Sequence, residues 1–308
     1  MRIGIDLGGT KIEGIVLYED GRELLRKRVA TPREYTATVS AIGQLVEELE
    51  REAGGRATVG VGHPGAISPA TGMIKNANST WLNGRPLDTD LRRRLSRPVS
   101  LANDANCFAL SEATDGAAVA ASVVFGVIVG TGTGGGVAIH GRPLTGANAI
   151  AGEWGHNPMP WPHDDEWPGP PCYCGRTGCI ETFLSGPGMA HDFARAGGAA
   201  LTALQIAERA NAEEPVASAC LERYAERMAR ALASVINILD PNVIVLGGGM
   251  SNIRRLYERV PALWQKFVFS DRVDTVLRKP LHGDSSGVRG AAWLPERESM
   301  EASLGGHS

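Results

Sequence analysis

Isoleucines at positions 3 and 5 alternate with other residues up to a Gly-Gly-Thr sequence, after which Ile12, Ile15 and Leu17 resume the apolar pattern. Period-two alternation on both sides of a glycine turn predicts a β-hairpin over residues 2–18. The same grammar returns about half a chain later, with an apolar strand ending at Val129, a Gly/Thr turn running to Gly136 and a returning strand over 137–140. Strand, glycine turn and strand at the head of each half predict two duplicated α/β lobes facing each other across a cleft. Between the hairpins, Val39, Ile42, Leu45, Val46 and Leu49 fall at helical spacing and predict a helix over 36–53. A short strand at 58–61 follows and ends at a Gly-His-Pro-Gly turn. A second short strand at 99–102 leads into a helix over 103–116, and the lobe boundary is expected at 116–122. In the second half, Met228, Leu232, Val235, Ile236 and Leu239 mark the inner face of a helix over 222–239 that Asp240-Pro241 stops. A strand over 243–246 then runs into Gly247-Gly248-Gly249. The last ten residues have almost no apolar pattern and read as a frayed tail.

Composition narrows the class. The chain has 308 residues, about two domains' worth, and 43% hydrophobic with 21% charged residues is ordinary for a folded globular protein. Thirty-one basic against 34 acidic side chains leave a net charge of −3, with no basic excess to neutralise nucleic acid or an anionic membrane. The opening Met-Arg-Ile-Gly-Ile-Asp has no apolar secretory segment, and the most apolar stretch, 117–129, is broken by Ser122 and Gly126. A cytoplasmic protein without membrane or nucleic-acid partners is expected. Glycine is the outlier: 39 residues, nearly twice the usual share of about 7%, gathered in clusters.

Those clusters restrict the chemistry. Residues 130–135, GTGTGG, match the G-x-G-x-x-G dinucleotide fingerprint, yet a strand follows where the fingerprint needs a helix. A P-loop is excluded because no G-K-[ST] closes any cluster. What remains is a hairpin tip whose backbone N–H groups approach a phosphate without a Cβ in the way, and two such tips would bracket a triphosphate. Three of the five cysteines lie in Cys172-Tyr-Cys174-Gly-Arg-Thr-Gly-Cys179, with His156 upstream in a proline-rich loop. Three thiolates and one imidazole suit a closed, structural Zn²⁺ site, although Cys172-x-Cys174 is tighter than the usual C-x₂₋₄-C; a redox pair and reduced cysteines without a role are the alternatives. Cys107 and Cys220 fall on helices and read as small buried apolar residues. Asp104, by itself, reads as a helix N-cap, and Asp6 as a side chain bonding its own turn.

The motifs DLGGTK at 6–11, GTGTGG at 130–135 and VLGGGMS at 245–251 together resemble the ROK family of sugar kinases, over residues 2 to about 295. Within it, NANSTWLNG at 76–84 and LANDANC at 101–107 look most like bacterial fructokinases, including manno(fructo)kinase. The resemblance implies an actin-like (hexokinase-type) ATPase fold, α/β in class, with two α/β lobes around a cleft and a zinc-binding loop in the second. The implied division is a small lobe over 1–117 completed by a C-terminal helix at 286–295, a large lobe over 118–285 with the zinc module at 153–181, and a tail at 299–308. The implied reaction is ATP- and Mg²⁺-dependent phosphorylation of a hexose, with D-fructose going to fructose 6-phosphate. The alternative is a glucose, mannose or N-acetylhexosamine kinase of the same family. A second alternative is a catalytically inactive sugar-sensing regulator, disfavoured because the first strand begins at residue 2, with no DNA-binding helix-turn-helix ahead of it.

Residue by residue, the resemblance makes Asp104 the base that accepts the sugar hydroxyl's proton. It puts Asn78, Asn103, Glu153, His156 and Glu181 on sugar hydroxyls. Nucleotide, phosphates and Mg²⁺ fall to Asp6, Gly8, Gly9, Thr10, Lys11, Gly132, Thr133, Gly134, Gly135, Gly248 and Gly249. AGEWGHN and CYCGRTGCIE correspond to the family's zinc module, with His156, Cys172, Cys174 and Cys179 as ligands. His156 then serves twice, one ring nitrogen on Zn²⁺ and the other on a hydroxyl. A homodimer is also implied.

Overall fold

The computed structural model describes residues 1–304, with the backbone alone for residue 284 and for those beyond 295. In chain order its strands and α-helices are β1 (Arg2–Leu7), β2 (Lys11–Leu17), β3 (Glu23–Ala30), α1 (Tyr35–Ala53), β4 (Thr58–His63), β5 (Ala66–Ile67), β6 (Ile74–Lys75), α2 (Leu87–Leu95), β7 (Ser100–Asn103), α3 (Asp104–Thr114), β8 (Val123–Val129), β9 (Thr133–Ile139), β10 (Arg142–Pro143), α4 (Ile180–Leu184), α5 (Gly186–Arg195), α6 (Ala203–Asn211), α7 (Pro215–Leu239), β11 (Val243–Gly247), α8 (Leu256–Trp264), β12 (Val276–Arg278) and α9 (Ser286–Leu304). Two five-stranded sheets run β3-β2-β1-β4-β7 and β10-β9-β8-β11-β12. Both therefore have the strand order third, second, first, fourth, fifth, the topological form of the repeat seen in the sequence. Among the described residues no helix is long and apolar enough to cross a membrane.

The chain divides into two compact units, one of residues 1–120, 136–151 and 284–308, the other of residues 121–135 and 152–283. In the first, β1 pairs antiparallel with β2 and parallel with β4, and β4 parallel with β7. The alternation of β2 serves two cores: Ile12 and Val16 join the face covered by Val39, Ile42, Leu45, Val46 and Leu49 of α1, while Ile15 and Leu17 join Leu110, Val288, Ala291 and Ala292 on the other. Helix α1 forms where its apolar stripe predicts it. The Glu34 carboxylate accepts from the backbone N–H of Thr36 and Ala37 at its start, and Gly54 ends it in the left-handed conformation.

Helix α9 lies directly on this sheet. A Cβ on Gly4 would stand 2.0 Å from the Val288 carbonyl oxygen and one on Gly60 1.9 Å from that of Ala291. Gly4 and Gly60 are register partners on β1 and β4, so together they make a flat strip for the helix. Much of the glycine excess thus serves backbone-to-backbone approach rather than turns.

Three expectations need correction. Strand β9 begins at Thr133, so the second turn is only residues 130–132 and Gly134, Gly135 and Gly136 are strand. They read as turn because glycine is rare in strands, but these carry packing: a Cβ on Gly136 would lie 2.2 Å from the Ala105 carbonyl oxygen. Residues 136–151, assigned by sequence to the second lobe, group with the first unit. Helix α9 continues over 299–304, part of the expected tail, and residues 305–308 lie outside the described residues. Finally, α7 starts at Pro215, seven residues before the expected start at Glu222, because proline is tolerated in a helix's first turn.

In the second unit a buried ionic clamp ties the proline-rich loop to α7. Glu166 accepts from Arg227 Nε at 2.7 Å and Arg230 Nη2 at 2.8 Å, and its other oxygen from the His163 backbone N–H at 3.0 Å. All three side chains are buried. Burial alone would raise the Glu166 carboxyl, but Arg230, Arg227 and the His163 N–H outweigh it and bring it from 4.5 to about 2. Glu166→Gln leaves two buried guanidiniums without their counter-charge and is expected to cost about 3–5 kcal/mol in urea unfolding. Because the folded carboxyl titrates below the unfolded one, its contribution is complete above pH 4.5 and fades as pH falls toward 2. Wild type should lose its stability margin over the variant across that interval, and a margin independent of pH would refute the clamp.

Candidate active site and metal centre

In the first unit the candidate groups gather at the C-terminal ends of parallel strands, where open α/β sheets place ligands. Asp6 closes β1, opposite Gly62 of β4 and Glu13 of β2. Its carboxyl is pushed up to about 7 by burial first, then by Asp104 and Glu13, with Lys11 opposing. The Gly-Gly-Thr turn is closed by the Gly8 N–H donating to the Lys11 carbonyl at 3.0 Å and by Thr31, whose hydroxyl donates to the Gly8 carbonyl at 2.7 Å. Gly9, Thr10 and Lys11 are exposed at its tip.

Glu13 carried no signal in the sequence, yet it organises this corner. It is buried and accepts from Arg26 at 2.6 Å and Arg28 at 2.9 Å, with the Lys11 ammonium 3.6 Å away. Burial pulls its carboxyl up, but Arg28, Arg26 and Lys11 hold it below the ordinary value.

Asp104 is not the cap of α3. That residue is Asn103, whose Oδ1 accepts from the Ala105 N–H at 2.9 Å and whose Nδ2 donates to the Gly65 carbonyl at 2.9 Å. The amide keeps one further position at each end for a ligand. Asp104 is the first helical residue, is exposed, and has one oxygen 2.8 Å from the Ala105 N–H. Asn78 is exposed beside Ala77, which Asn83 fixes through both ends of its amide at 2.9 Å. Ser79, next in the chain, faces Gly9.

In the second unit Glu181 stands in the first turn of α4 and accepts from the Thr133 N–H at 2.8 Å, beside Gly132, where a Cβ would meet the same oxygen. Trp154 donates its indole N–H to the Gly134 carbonyl at 3.0 Å and, with Phe125, covers Gly135. Gly135 is therefore a packing glycine, while Gly132 is exposed on the loop. The Glu153 carboxyl is raised by loss of solvation and by Glu181, with His156 pulling it down, so these three form one electrostatic group. Gly248 has φ +76° and sits where a Cβ would meet the Val129 carbonyl at 2.4 Å; Gly249 is open on its Cβ side and begins the 3₁₀ turn Gly249–Asn252.

His156, Cys172, Cys174 and Cys179 converge, their ligand atoms all within 4.8 Å of one another. His156 Nδ1 lies 3.5 Å from Cys172 Sγ, and Cys174 Sγ lies 3.6 Å from Cys179 Sγ. Thiolates at about 2.3 Å around a tetrahedral zinc stand roughly 3.8 Å apart, so the donor set fits that metal. All five cysteines are free thiols, so no disulfide competes with the metal-ligand set. The second ring nitrogen, Nε2, lies 2.9 Å from the Tyr173 hydroxyl.

Comparison with known proteins matches the ROK family over residues 2–298. The chain is 40% identical over 306 residues to N-acetyl-D-glucosamine kinase of Escherichia coli O127:H6, covering 96% of this chain and 99% of that one. It is 39% identical over 299 residues to the same kinase of Pectobacterium carotovorum, covering 96% and 98%. Among solved structures, a ROK hexokinase from Thermus thermophilus superposes with TM-score 0.86 at 31% identity over 97% of this chain and 99% of that one. A ROK family glucokinase from Streptomyces griseus, in complex with glucose and AMPPNP, gives 0.77 at 27% over 95% and 98%. These full-length relatives overturn the fructokinase reading, since resemblance in NANSTWLNG and LANDANC does not separate the sugars of the family. With its motifs, its paired sheets and a match covering nearly the whole chain, this protein belongs to the ROK family.

Proposed function

We propose that this chain is an ATP-dependent N-acetyl-D-glucosamine kinase that transfers the γ-phosphoryl group to the sugar's 6-hydroxyl. The reading rests on the 39–40% identity to N-acetyl-D-glucosamine kinases across their full length. It falls within the N-acetylhexosamine alternative that the sequence left open. In a panel of sugars with Mg-ATP, read as ADP release, N-acetylglucosamine is expected to give the highest kcat/KM. A tenfold advantage of glucose, mannose or fructose, about 1.4 kcal/mol in transition-state binding, would reject it.

Asp104 is the proposed base. As the sugar oxygen bonds to the γ-phosphorus and the bond to the β–γ bridging oxygen breaks, the hydroxyl proton passes to its carboxylate and ADP leaves. Its exposure in the first turn of α3, where a helix stabilises negative charge, supports the role. The open backbone of residues 8–10 and 130–132 suits the phosphates, Asp6 the accompanying Mg²⁺, and Gly248 and Gly249 the rest of the nucleotide. Glu153, Glu181, Asn103 and Asn78 supply sugar contacts. Since Asn103 already caps the helix, Asp104→Asn is expected to leave the melting temperature unchanged and lower kcat by about 10²–10⁴-fold. Turnover within threefold of wild type would remove Asp104 from the chemistry.

His156, Cys172, Cys174 and Cys179 would hold Zn²⁺ as a closed site without an open coordination position, so the metal supplies structure and no activated water. It would fix the loop that presents Glu153 and Glu181. Elemental analysis is expected to find about one zinc per chain, and Cys174→Ala to lose both the metal and activity. Full activity and an unchanged melting temperature in metal-free protein would exclude the site.

A further inference from the structure

Between Met159 and Cys172 the only buried residue is Glu166. Pro168, Pro170 and Pro171, which lie between Glu166 and that cysteine, have no N–H to donate. The backbone bonds at this end of the loop are local to it: the Pro170 carbonyl accepts from the Gly178 N–H at 2.9 Å, and the Cys172 N–H donates to the Arg176 carbonyl at 2.8 Å. The buried fastening on this side is the Glu166 carboxylate, which α7 holds through Arg227 and Arg230.

Arg227 holds more than that carboxylate. Its Nε donates to Glu166 at 2.7 Å, its Nη1 donates to Asp192 of α5 at 2.8 Å, and its guanidinium stands 5.3 Å from the centroid of the Phe183 ring on α4. Helix α4 follows Cys179 directly, and α5 follows α4. One buried guanidinium thus ties down the chain ahead of Cys172 and the chain beyond Cys179, the two ends of the segment that carries three of the four candidate ligands. The planar fork of an arginine is what allows a two-sided contact of this kind. The neighbouring arginines serve one side each: Arg230 donates to Glu166 at 2.8 Å and to the Trp161 carbonyl at 2.6 Å, and Arg223 donates to Asp192 at 2.7 Å.

We propose that Arg227 is a positioning residue of the metal centre, setting the spacing of the cysteine donors by fixing both ends of their loop. A loop ordered in advance binds a metal without having to be ordered by it, so affinity rises with no new contact at the ion. The first turn of α4, which bears Glu181, lies inside the fastened stretch, so the metal centre and that carboxylate share one anchor. This inference rests on the zinc reading of His156, Cys172, Cys174 and Cys179 above.

Arg227→Gln cuts the bridge but leaves each acid an arginine, Arg230 for Glu166 and Arg223 for Asp192. Arg223→Gln removes an arginine from the same Asp192 and leaves the bridge intact. Both variants and wild type are compared by zinc competition with a chromophoric chelator, and by melting with zinc bound and with zinc stripped. Arg227→Gln is expected to weaken zinc binding at least tenfold and to gain less in melting temperature from zinc, while Arg223→Gln stays within threefold of wild type in affinity. Equal affinity in all three proteins, or an equal loss in both variants, would overturn the proposal and leave Arg227 a support of the fold alone. If Arg227→Gln does not fold, amide exchange in wild type decides: stripping zinc is expected to speed exchange at the His163 N–H that Glu166 accepts, and unchanged exchange overturns the proposal. A wild type that binds no zinc rejects the metal reading itself, and this proposal with it, before either variant is compared.

Discussion

The first unit depends on main chain packed against main chain. At Gly4 and Gly60 the α9 backbone rests on the sheet at a distance no side chain allows, and Gly290 lets the same helix cross α3 against the Cys107 carbonyl. A methyl group at any of these points would lift α9 off the strands whose ends carry Asp6 and Asn103. The helix is held in place by polar anchors as well: Ser286 donates to buried Glu112 at 2.6 Å, and Arg289 donates to the Gly21 carbonyl at 2.6 Å and pairs with Asp115. Packing this close is what sets the heights of β1, β4 and β7 relative to one another, and with them the positions of the groups at their ends.

The elements legible in the sequence were those with a clear period. Both glycine hairpins, α1 and the core of α7 declare themselves through Ile, Val and Leu at spacing two or at three and four. Strand β3, ELLRKRVA, does not, because it is the edge of its sheet with no fully buried residue along it, and its charges suit an edge. The glycine run at 134–136 misled for a related reason. Composition marks where a Cβ is unwelcome without saying whether a turn or a neighbouring chain excludes it.

For the site, proximity in sequence decided what was readable. The His156 and cysteine set lies within one loop, so its residues pointed to one another, and the structure brings them together. Glu13 and Glu166 carry no signal in the sequence, since the arginines that define them stand on other elements; Arg227 is 61 positions from Glu166. Asn103 and Asp104 are equally good caps by composition, and only the observed hydrogen bonds assign the cap to the asparagine. The sugar was the least readable feature. Discrimination among hexoses lies in a few donors and acceptors on loops, and a short motif such as NANSTWLNG or LANDANC does not name the sugar.

The dependence of β1 on α9 has a consequence for how the chain is made. Strand β1 cannot bury its α9 face until α9 has been made; Arg289 and its Gly21 partner are 268 positions apart. The second unit is a compact body encoded wholly between them, so it can form while the sheet bearing Asp6 still lacks its α9 cover. Closing so long a loop adds little to the entropy already lost in shorter ones, but it makes completion of the core around β1 wait for α9. A chain interrupted before α9 would therefore carry its defect far upstream, in β1 and β4.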